Sequence, residues 1–183
     1  MLKNSRKSYG WISIVIHWLM AIAIFFMFGL GLYMVDLTYY DAWYKGSLDL
    51  HKSLGMLILG LLMFRIFWRV INTQPTALAG PKWQQRVAHW MHQTLYIAML
   101  LLMVSGYLIS TADGRAIVMF DLINIPALPW RVENQEDIAG EIHAILSWLL
   151  VALSVAHTLA ALKHHFINKD RTLKRMLKID NSN

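Results

Sequence analysis

Two histidines stand fourteen residues apart in an uncharged apolar stretch, residues 142–162: His143 and His157. Fourteen residues are close to four turns of an α-helix, so both imidazoles would leave one helix face, about 21 Å apart along the axis. An imidazole inside a membrane is costly and usually functional. Two further histidines, His17 and His51, lie near opposite ends of two other apolar stretches. The pattern is typical of two haem groups, each clamped by two imidazoles, at two levels of a membrane.

Apolar segments of membrane-spanning length can position these side chains. Hydrophobic residues make up 57% of the 183-residue chain, which is more than a soluble domain of this size can bury. About 20 apolar residues in a helix cross a bilayer of roughly 30 Å. The sequence predicts four such helices, at about 11–35, 48–70, 87–112 and 139–165. The second is interrupted by Lys52, Arg65 and Arg69, whose long side chains can reach the interface while their stems stay in lipid.

These helices predict an all-α fold. We expect a single membrane domain over residues 1–183, a four-transmembrane-helix bundle that encloses two haem groups, each held by two histidines. The first apolar segment is longer than that of a cleaved signal peptide and has no small-residue cleavage pattern, so we expect a membrane helix there. The longest connection, 113–139, carries an apolar patch at 116–120. We expect it to fold onto the mouth of the bundle, because long connections are often functional.

The net charge of +6 is unevenly distributed between the two sides of the membrane, and this distribution indicates the topology of the chain. With four spans, the two termini and the second connection share one side, which holds thirteen of the 17 basic residues and two of the 11 acidic residues, among them Lys178 and Asp180. The other side holds nine acidic residues with four basic ones: Lys45, Lys52, Arg115 and Arg131. The positive-inside rule then predicts cytoplasmic N- and C-termini. This distribution argues against a nucleic-acid partner.

The chain contains no cysteine. This excludes thiolate-bound iron–sulfur clusters, haem attached through Cys-x-x-Cys-His, disulfides and thiol catalysis. A metal must therefore be held by histidine, methionine or carboxylates. The 11 methionines are spread through the apolar helices, which favours core packing over copper binding. Glycines in the same helices could allow close approach of a neighbouring helix or of a flat cofactor: they are Gly29, Gly31, Gly55, Gly60 and Gly106.

Depth in the membrane predicts which histidines pair. His17 lies about 9 Å from the cytoplasmic face at 1.5 Å per residue, level with His157, whereas His51 and His143 both lie near the outer face. Each pair joins different helices, as a haem wedged between helices requires. Two axial nitrogens leave no open position at the iron, so such haems transfer electrons. A lone membrane histidine more often bonds a neighbouring helix, but two depth-matched pairs outweigh that alternative.

The segments around these histidines resemble the bacterial cytochrome b561 family, which is related to the cytochrome b subunits of nickel hydrogenases and formate dehydrogenases. The resemblance covers nearly the whole chain and rests on residues 14–18 (IVIHW), 50–55 (LHKSLG), 142–143 (IH), 157–165 (HTLAALKHH) and 169–176 (KDRTLKRM). It implies two haem b groups, quinone as a redox partner, and the bacterial inner membrane. It also implies that His17 and His157 hold the cytoplasmic haem, and His51 and His143 the periplasmic one. Some members oxidise periplasmic superoxide and reduce ubiquinone, and others serve periplasmic dehydrogenases.

Other polar residues near the membrane faces have candidate roles. Lys52, Arg65 and Arg69 could bind haem propionates through charge-assisted hydrogen bonds, or simply reach the interface. A second set could hydrogen-bond a quinone carbonyl and supply its proton: His92, His164 and Lys82. The alternatives are solvated residues at the membrane edge that attract anionic lipid. His89 and His92, one turn apart, are also alternative axial ligands.

The sequence therefore predicts a dihaem transmembrane oxidoreductase that passes electrons between a periplasmic donor, with superoxide as one candidate, and membrane quinone. Expected partners are lipid, quinone, a periplasmic redox protein and a second copy in a homodimer. One alternative is a membrane-anchor cytochrome subunit of a periplasmic dehydrogenase. Another is a histidine-dependent transporter of metal ions or protons, which would be expected to carry acids at mid-membrane. The uncharged cores of the four spans contain no Asp or Glu.

Overall fold

The structure, a computed structural model, describes residues 1–78, 80–130 and 132–177. Arg131, Lys178 and Asp180, which contribute to the charge distribution above, lie outside these ranges. The elements are α1 (Trp11–Val35), α2 (Tyr44–Ile71), α3 (Lys82–Ser110), β1 (Ile117–Met119), β2 (Ile123–Ile125), α4 (Gln135–Phe166) and α5 (Lys174–Leu177). The helices α1 to α4 are each long and apolar enough to cross a membrane. The predicted four-helix membrane bundle is confirmed.

Three of the helices, α2, α3 and α4, begin before the apolar spans. Their backbones stay helical back to a residue at which a helix can start. Helix α3 begins after Pro81, which lacks an N–H and is therefore tolerated at a helix start. Helix α4 begins after Asn134, which adopts a left-handed conformation, and has Glu136 and Asp137 in its first turn. These two carboxylates stabilise the helix, because they lie at the positive end of its dipole. The extensions bring polar turns to both faces of the bundle.

The helices pack as two halves. Helix α3 packs most extensively against α4, and α1 against α2. The halves meet mainly along α2 and α3, whereas α1 touches α4 at few positions. Met20, Leu62 and Leu150 are almost fully buried at the centre. Many other apolar side chains of the spans are exposed, as expected of helices whose outer faces contact lipid.

The N-terminal segment and α5 lie at the same end of the bundle as the second connection. The backbone N–H of Thr76 donates to the carbonyl of Arg6 at 2.9 Å, and Arg175 donates to the carbonyl of Thr76 at 2.8 Å. The indole of Trp18 donates to the carbonyl of Met176 at 2.6 Å. We call this the inner end, and the end with the first and third connections the outer end. The cytoplasmic assignment of the inner end stays a prediction.

A β-hairpin covers part of the outer end. Strands β1 and β2 pair antiparallel, with Ile117 opposite Ile125, and β1 packs against α2. The turn contains Phe120 and Asp121 at positive φ, a strained conformation for side-chain-bearing residues. The N–H of Phe120 donates to the Ser53 hydroxyl of α2 at 3.0 Å. The third connection thus folds onto the bundle mouth, although as a hairpin that the all-α prediction did not include.

We expect Ser53→Ala to loosen this hairpin. The variant removes the acceptor of the Phe120 N–H, and an unsatisfied, partly buried donor costs about 1–3 kcal/mol. Amide hydrogen exchange over residues 117–125 should accelerate accordingly. Ser110→Ala is the matched control, because its hydroxyl donates within its own helix, to the Gly106 carbonyl. Unchanged exchange in Ser53→Ala would show that the bond does not hold the hairpin.

Candidate functional site

Three imidazoles meet near the inner end of the bundle. His17 of α1 faces His157 of α4, with ring centroids 6.3 Å apart and an interplanar angle of 72°. His92 of α3 lies beside His157, at 5.1 Å between centroids. His17 and His157 are half-buried, whereas His92 is exposed. The predicted pair is therefore brought together, with His92 at its edge.

A second pair lies near the outer end. His51 of α2 faces His143 of α4, again with centroids 6.3 Å apart, at an interplanar angle of 68°. Nδ1 of His143 is 3.1 Å from the carbonyl oxygen of Leu102 and 3.1 Å from the hydroxyl of Ser105. The bond to the carbonyl requires a proton on Nδ1 and leaves Nε2 free to bind a metal. The two pairs are separated by about 21 Å along α4.

The ring separation in each pair matches the separation expected of two imidazoles bound to one metal atom. Two metal–imidazole bonds of about 2.0 Å, and roughly 1 Å from each nitrogen to its ring centre, add to about 6 Å. Within the described ranges, no group of three or more His, Asp or Glu could hold a metal ion. Two imidazoles leave a first-row metal short of ligands. A macrocycle that supplies its own donors, as haem does, would complete the coordination.

Two glycines leave room beside the outer pair. A Cβ at Gly106 would come within 3.0 Å of Cε1 of His143, and a Cβ at Gly31 within 3.5 Å of Cε1 of His51. Nδ1 of His51 is buried and has no hydrogen-bond partner in the described part of the chain. A buried, unsatisfied ring nitrogen is costly unless another group binds it. The glycines therefore let the two rings pack close to the helix backbones, and His51 keeps a ring nitrogen that a metal cofactor could use.

Arg65 turns into the bundle. Its Nε donates to the hydroxyl of Tyr96 at 2.8 Å, and its Nη2 lies 3.1 Å from Nδ1 of His17. The guanidinium also lies over the Tyr96 ring, at 5.6 Å from the centroid, with the Arg69 guanidinium at 5.9 Å. Arg65 thus points toward Tyr96 and His17, and its role at a haem propionate stays a prediction.

Lys52 lies close enough to Asp113, in the third connection, to affect its ionisation. Hydrogen bonds from the Arg115 backbone and side chain lower the pKa of Asp113, and the charges of Arg115 and Lys52 add to that effect. The carboxylate is therefore ionised at neutral pH.

The three candidate quinone residues lie in different surroundings. Lys82 lines an open hollow of about 600 Å³ with Gln85, Arg86, His89 and Trp90. Nδ1 of His164 is 2.6 Å from a carboxylate oxygen of Asp170. Burial raises the pKa of Asp170, but bonds from Thr172 and His164 outweigh it and lower the pKa. Among the described residues, no hydrogen bond, ion pair or ring contact joins Lys82 to His92 or His164. The structure does not bring the three into one cluster.

Sequence reasoning missed two residues of these sites. Tyr96 holds Arg65, and Ser105 contacts His143. Tyr96 lies four residues after His92 and therefore on the same face of α3, which is a signal that could have been used. Ser105 is a single small polar residue in an apolar helix, and nothing in its sequence context distinguishes it from a packing residue.

Comparisons with known proteins agree with this geometry. The sequence model of a family described as prokaryotic cytochrome b561 matches residues 8–178. "Cytochrome b561 homolog 2" of Escherichia coli K12 is 47% identical over 175 residues, which cover 95% of this chain and 93% of that protein. "Probable superoxide oxidase CybB" of Yersinia pestis is 30% identical over 177 residues, 94% of this chain and 97% of that protein. "Cytochrome b561 homolog 1" of E. coli K12 is 29% identical over 132 residues, 70% and 73% of the two chains.

Proposed function

Because the chain belongs to the prokaryotic cytochrome b561 family, we propose that it binds two haem b groups, one between His17 and His157 and one between His51 and His143. The family implies haem b and a transmembrane electron-transfer role. The observation that carries the proposal is the matched geometry of the pairs, each 6.3 Å between ring centroids. The transporter alternative receives no support from the described residues, which lack a cluster of three metal ligands.

The protein's own residues would hold and orient the cofactors. In each pair, the histidines come from different helices and would hold one haem between them, and that group would supply one-electron transfer. The Leu102 carbonyl and the Ser105 hydroxyl fix the orientation of His143. Such outer partners also tune the ligand's basicity. Half-burial of all four rings between packed helices limits the access of water to both sites.

Electrons are proposed to enter at the outer end and to leave to membrane quinone at the inner end, in the inner membrane of a bacterium. The charge distribution supports cytoplasmic termini. The candidate quinone ligands His92, His164 and Lys82 belong to helices that reach the inner end. Lys82 and His164 stand at the ends of α3 and α4, where a quinone head group in the bilayer can meet protons from water.

The proposed quinone reaction can be tested in reverse. In lipid nanodiscs, a ubiquinol analogue should reduce the bound haem, seen as a rise of the reduced α-band in anaerobic stopped-flow. Lys82→Ala should raise the quinol concentration needed for half-maximal rate if Lys82 binds the carbonyl. Arg6→Ala is a control for loss of positive charge at the inner end. A haem-loaded protein that no quinol reduces would contradict the quinone assignment.

The acidic residues of the outer end affect which electron donor can approach the protein. One relative is named a probable superoxide oxidase, and superoxide is an anion. The outer side of this chain carries nine acidic and four basic residues, and such a field slows an anionic donor. The second candidate donor is a periplasmic redox protein with a basic surface. In that case, this chain would act as its membrane-anchor cytochrome subunit.

We expect salt to separate these donors. In zwitterionic nanodiscs, the rate at which superoxide reduces the haem should rise by less than about tenfold when the ionic strength increases from about 10 to 150 mM. The rate rises because salt screens the repulsion. Reduction by a neutral quinol should change little and serves as the control. A superoxide rate that falls with salt would instead indicate attraction and favour superoxide as the natural donor.

A further inference from the structure

The two histidine pairs differ in the charge of the groups that touch them. At the inner pair, the guanidinium of Arg65 lies 3.1 Å from Nδ1 of His17. At the outer pair, Nδ1 of His143 is bonded to a neutral carbonyl and a neutral hydroxyl. Within the described ranges, no charged side chain is hydrogen-bonded to His51 or His143. The inner pair therefore has a positive charge in direct contact with one of its rings, whereas the groups bonded to the outer pair are neutral.

Arg65 is fixed in this position by α3. Its bond to the Tyr96 hydroxyl measures 2.8 Å, and the Tyr96 ring lies under the guanidinium. Arg65 stands six residues before the end of α2, at Ile71, which is about 9 Å along the helix. A charged side chain inside a span is costly and usually has a function. Its contacts point into the bundle and toward His17.

We propose that Arg65, held by Tyr96, raises the reduction potential of the inner haem above that of the outer haem and thereby directs electrons from the outer to the inner end. This inference rests on the proposed function. A ferric haem carries one more positive charge than a ferrous haem, so a nearby guanidinium disfavours the ferric form. At the outer site, the Leu102 carbonyl accepts the Nδ1 proton of His143, which strengthens the imidazole as a donor and favours the ferric form.

The position of the ring proton leaves the sign of this effect unchanged. A guanidinium only donates, so Nδ1 of His17 accepts in this structure. A metal on Nε2 would leave the ring proton on Nδ1, and Arg65 would then remain beside the ring through Tyr96. A haem propionate would be a natural acceptor for the released donors. With or without that partner, removal of the guanidinium makes the inner site more negative and its haem harder to reduce.

Redox titration of haem-loaded Arg65→Gln tests the proposal. The electron partition between the two haems should shift at least tenfold toward the outer one, which is about 59 mV for one electron. Arg65→Lys keeps the charge and should recover most of the shift. Arg69→Gln is the matched control: Arg69 lies one turn away over the same ring, and in the described part of the chain it has no hydrogen bond to a histidine. It should shift the partition less than Arg65→Gln does. The His143→Ala background, which keeps only the inner haem, assigns the signals.

Each outcome separates this inference from the proposed function. Two haems with unchanged potentials in Arg65→Gln, or an equal shift of both, would overturn the role of Arg65 and leave the function standing. A wild-type protein without haem at the inner pair would overturn the proposed function itself. If Arg65→Gln does not retain the inner haem, Tyr96→Phe decides the matter. It keeps the charge but frees the guanidinium, so the inner potential should fall by less, and an unchanged potential would refute the proposal.

Discussion

Replacing His143 by alanine should lower the haem content of the protein from two per chain to one. The variant loses one of the two axial ligands of the outer site, and non-covalent haem is held mainly through such ligands. His157→Ala should remove the inner haem and keep the outer one. Pyridine haemochrome titration of the purified variants measures both contents. His89→Ala, an exposed histidine at the inner end, is the control and should keep two haems.

His92 allows a second test of the ligands of the inner haem. It lies 5.1 Å from His157 between ring centroids, closer than His17 at 6.3 Å, and it is the alternative axial ligand. The proposed pairing requires His17→Ala to empty the inner site and His92→Ala to leave it occupied. The reverse result would assign the inner haem to His92 and His157. Full haem content in both the His143 and the His157 variants would contradict the assignments at both ends.

Gly106→Leu should also abolish haem binding at the outer site. Even a Cβ at Gly106 would lie 3.0 Å from Cε1 and 3.3 Å from Nδ1 of His143, so a leucine side chain must displace the ring. Displacement also breaks the bonds of His143 to Leu102 and Ser105. We expect one haem per chain, with the spectrum of the inner site.

Gly60→Leu is the matched control for this variant. A Cβ at Gly60 of α2 meets nothing within 4 Å, so the same change in size should leave both haems in place. Both variants add a good helix former, so a difference between them reports the local space beside His143. Two haems with an unshifted spectrum in Gly106→Leu would show that the His143 ring is not held where the structure has it.

The spans and the histidine pairs could be predicted because they depend on simple periodicities. Apolar length identifies a membrane helix, and the helical rise converts residue numbers into depth. The fourteen-residue spacing of His143 and His157 then fixes two levels, and the alternating direction of the helices assigns His17 and His51 to them. The structure brings these predicted pairs together.

The direction of Arg65 could not be predicted in the same way. A long cationic side chain in a span can turn to either the interface or the interior, and the sequence leaves both open. The choice depends on Tyr96, which is 31 residues away in another helix. The hairpin was missed for a related reason. Its strands have three residues each, and its turn uses Phe120 and Asp121 without the glycine that usually marks such turns.

The contact of His164 with Asp170, in contrast, could have been predicted from the sequence. Its partner Asp170 is only six residues away, just past the end of the helix, and the spacing was available in the sequence. Histidine side chains near the C-terminus of a helix commonly form hydrogen bonds there. The contact with Asp170 occupies Nδ1 and leaves only Nε2 for a quinone.

The haem content and spin state of the wild-type protein test the central claim most directly. Pyridine haemochrome titration of fully loaded protein should give two haem b per chain. Low-temperature electron paramagnetic resonance of the oxidised protein should show two low-spin ferric signals, because two imidazoles fill the axial positions of each iron. A colourless protein, a single haem per chain, or a high-spin ferric signal from an open axial position would contradict the proposal that each histidine pair clamps one haem.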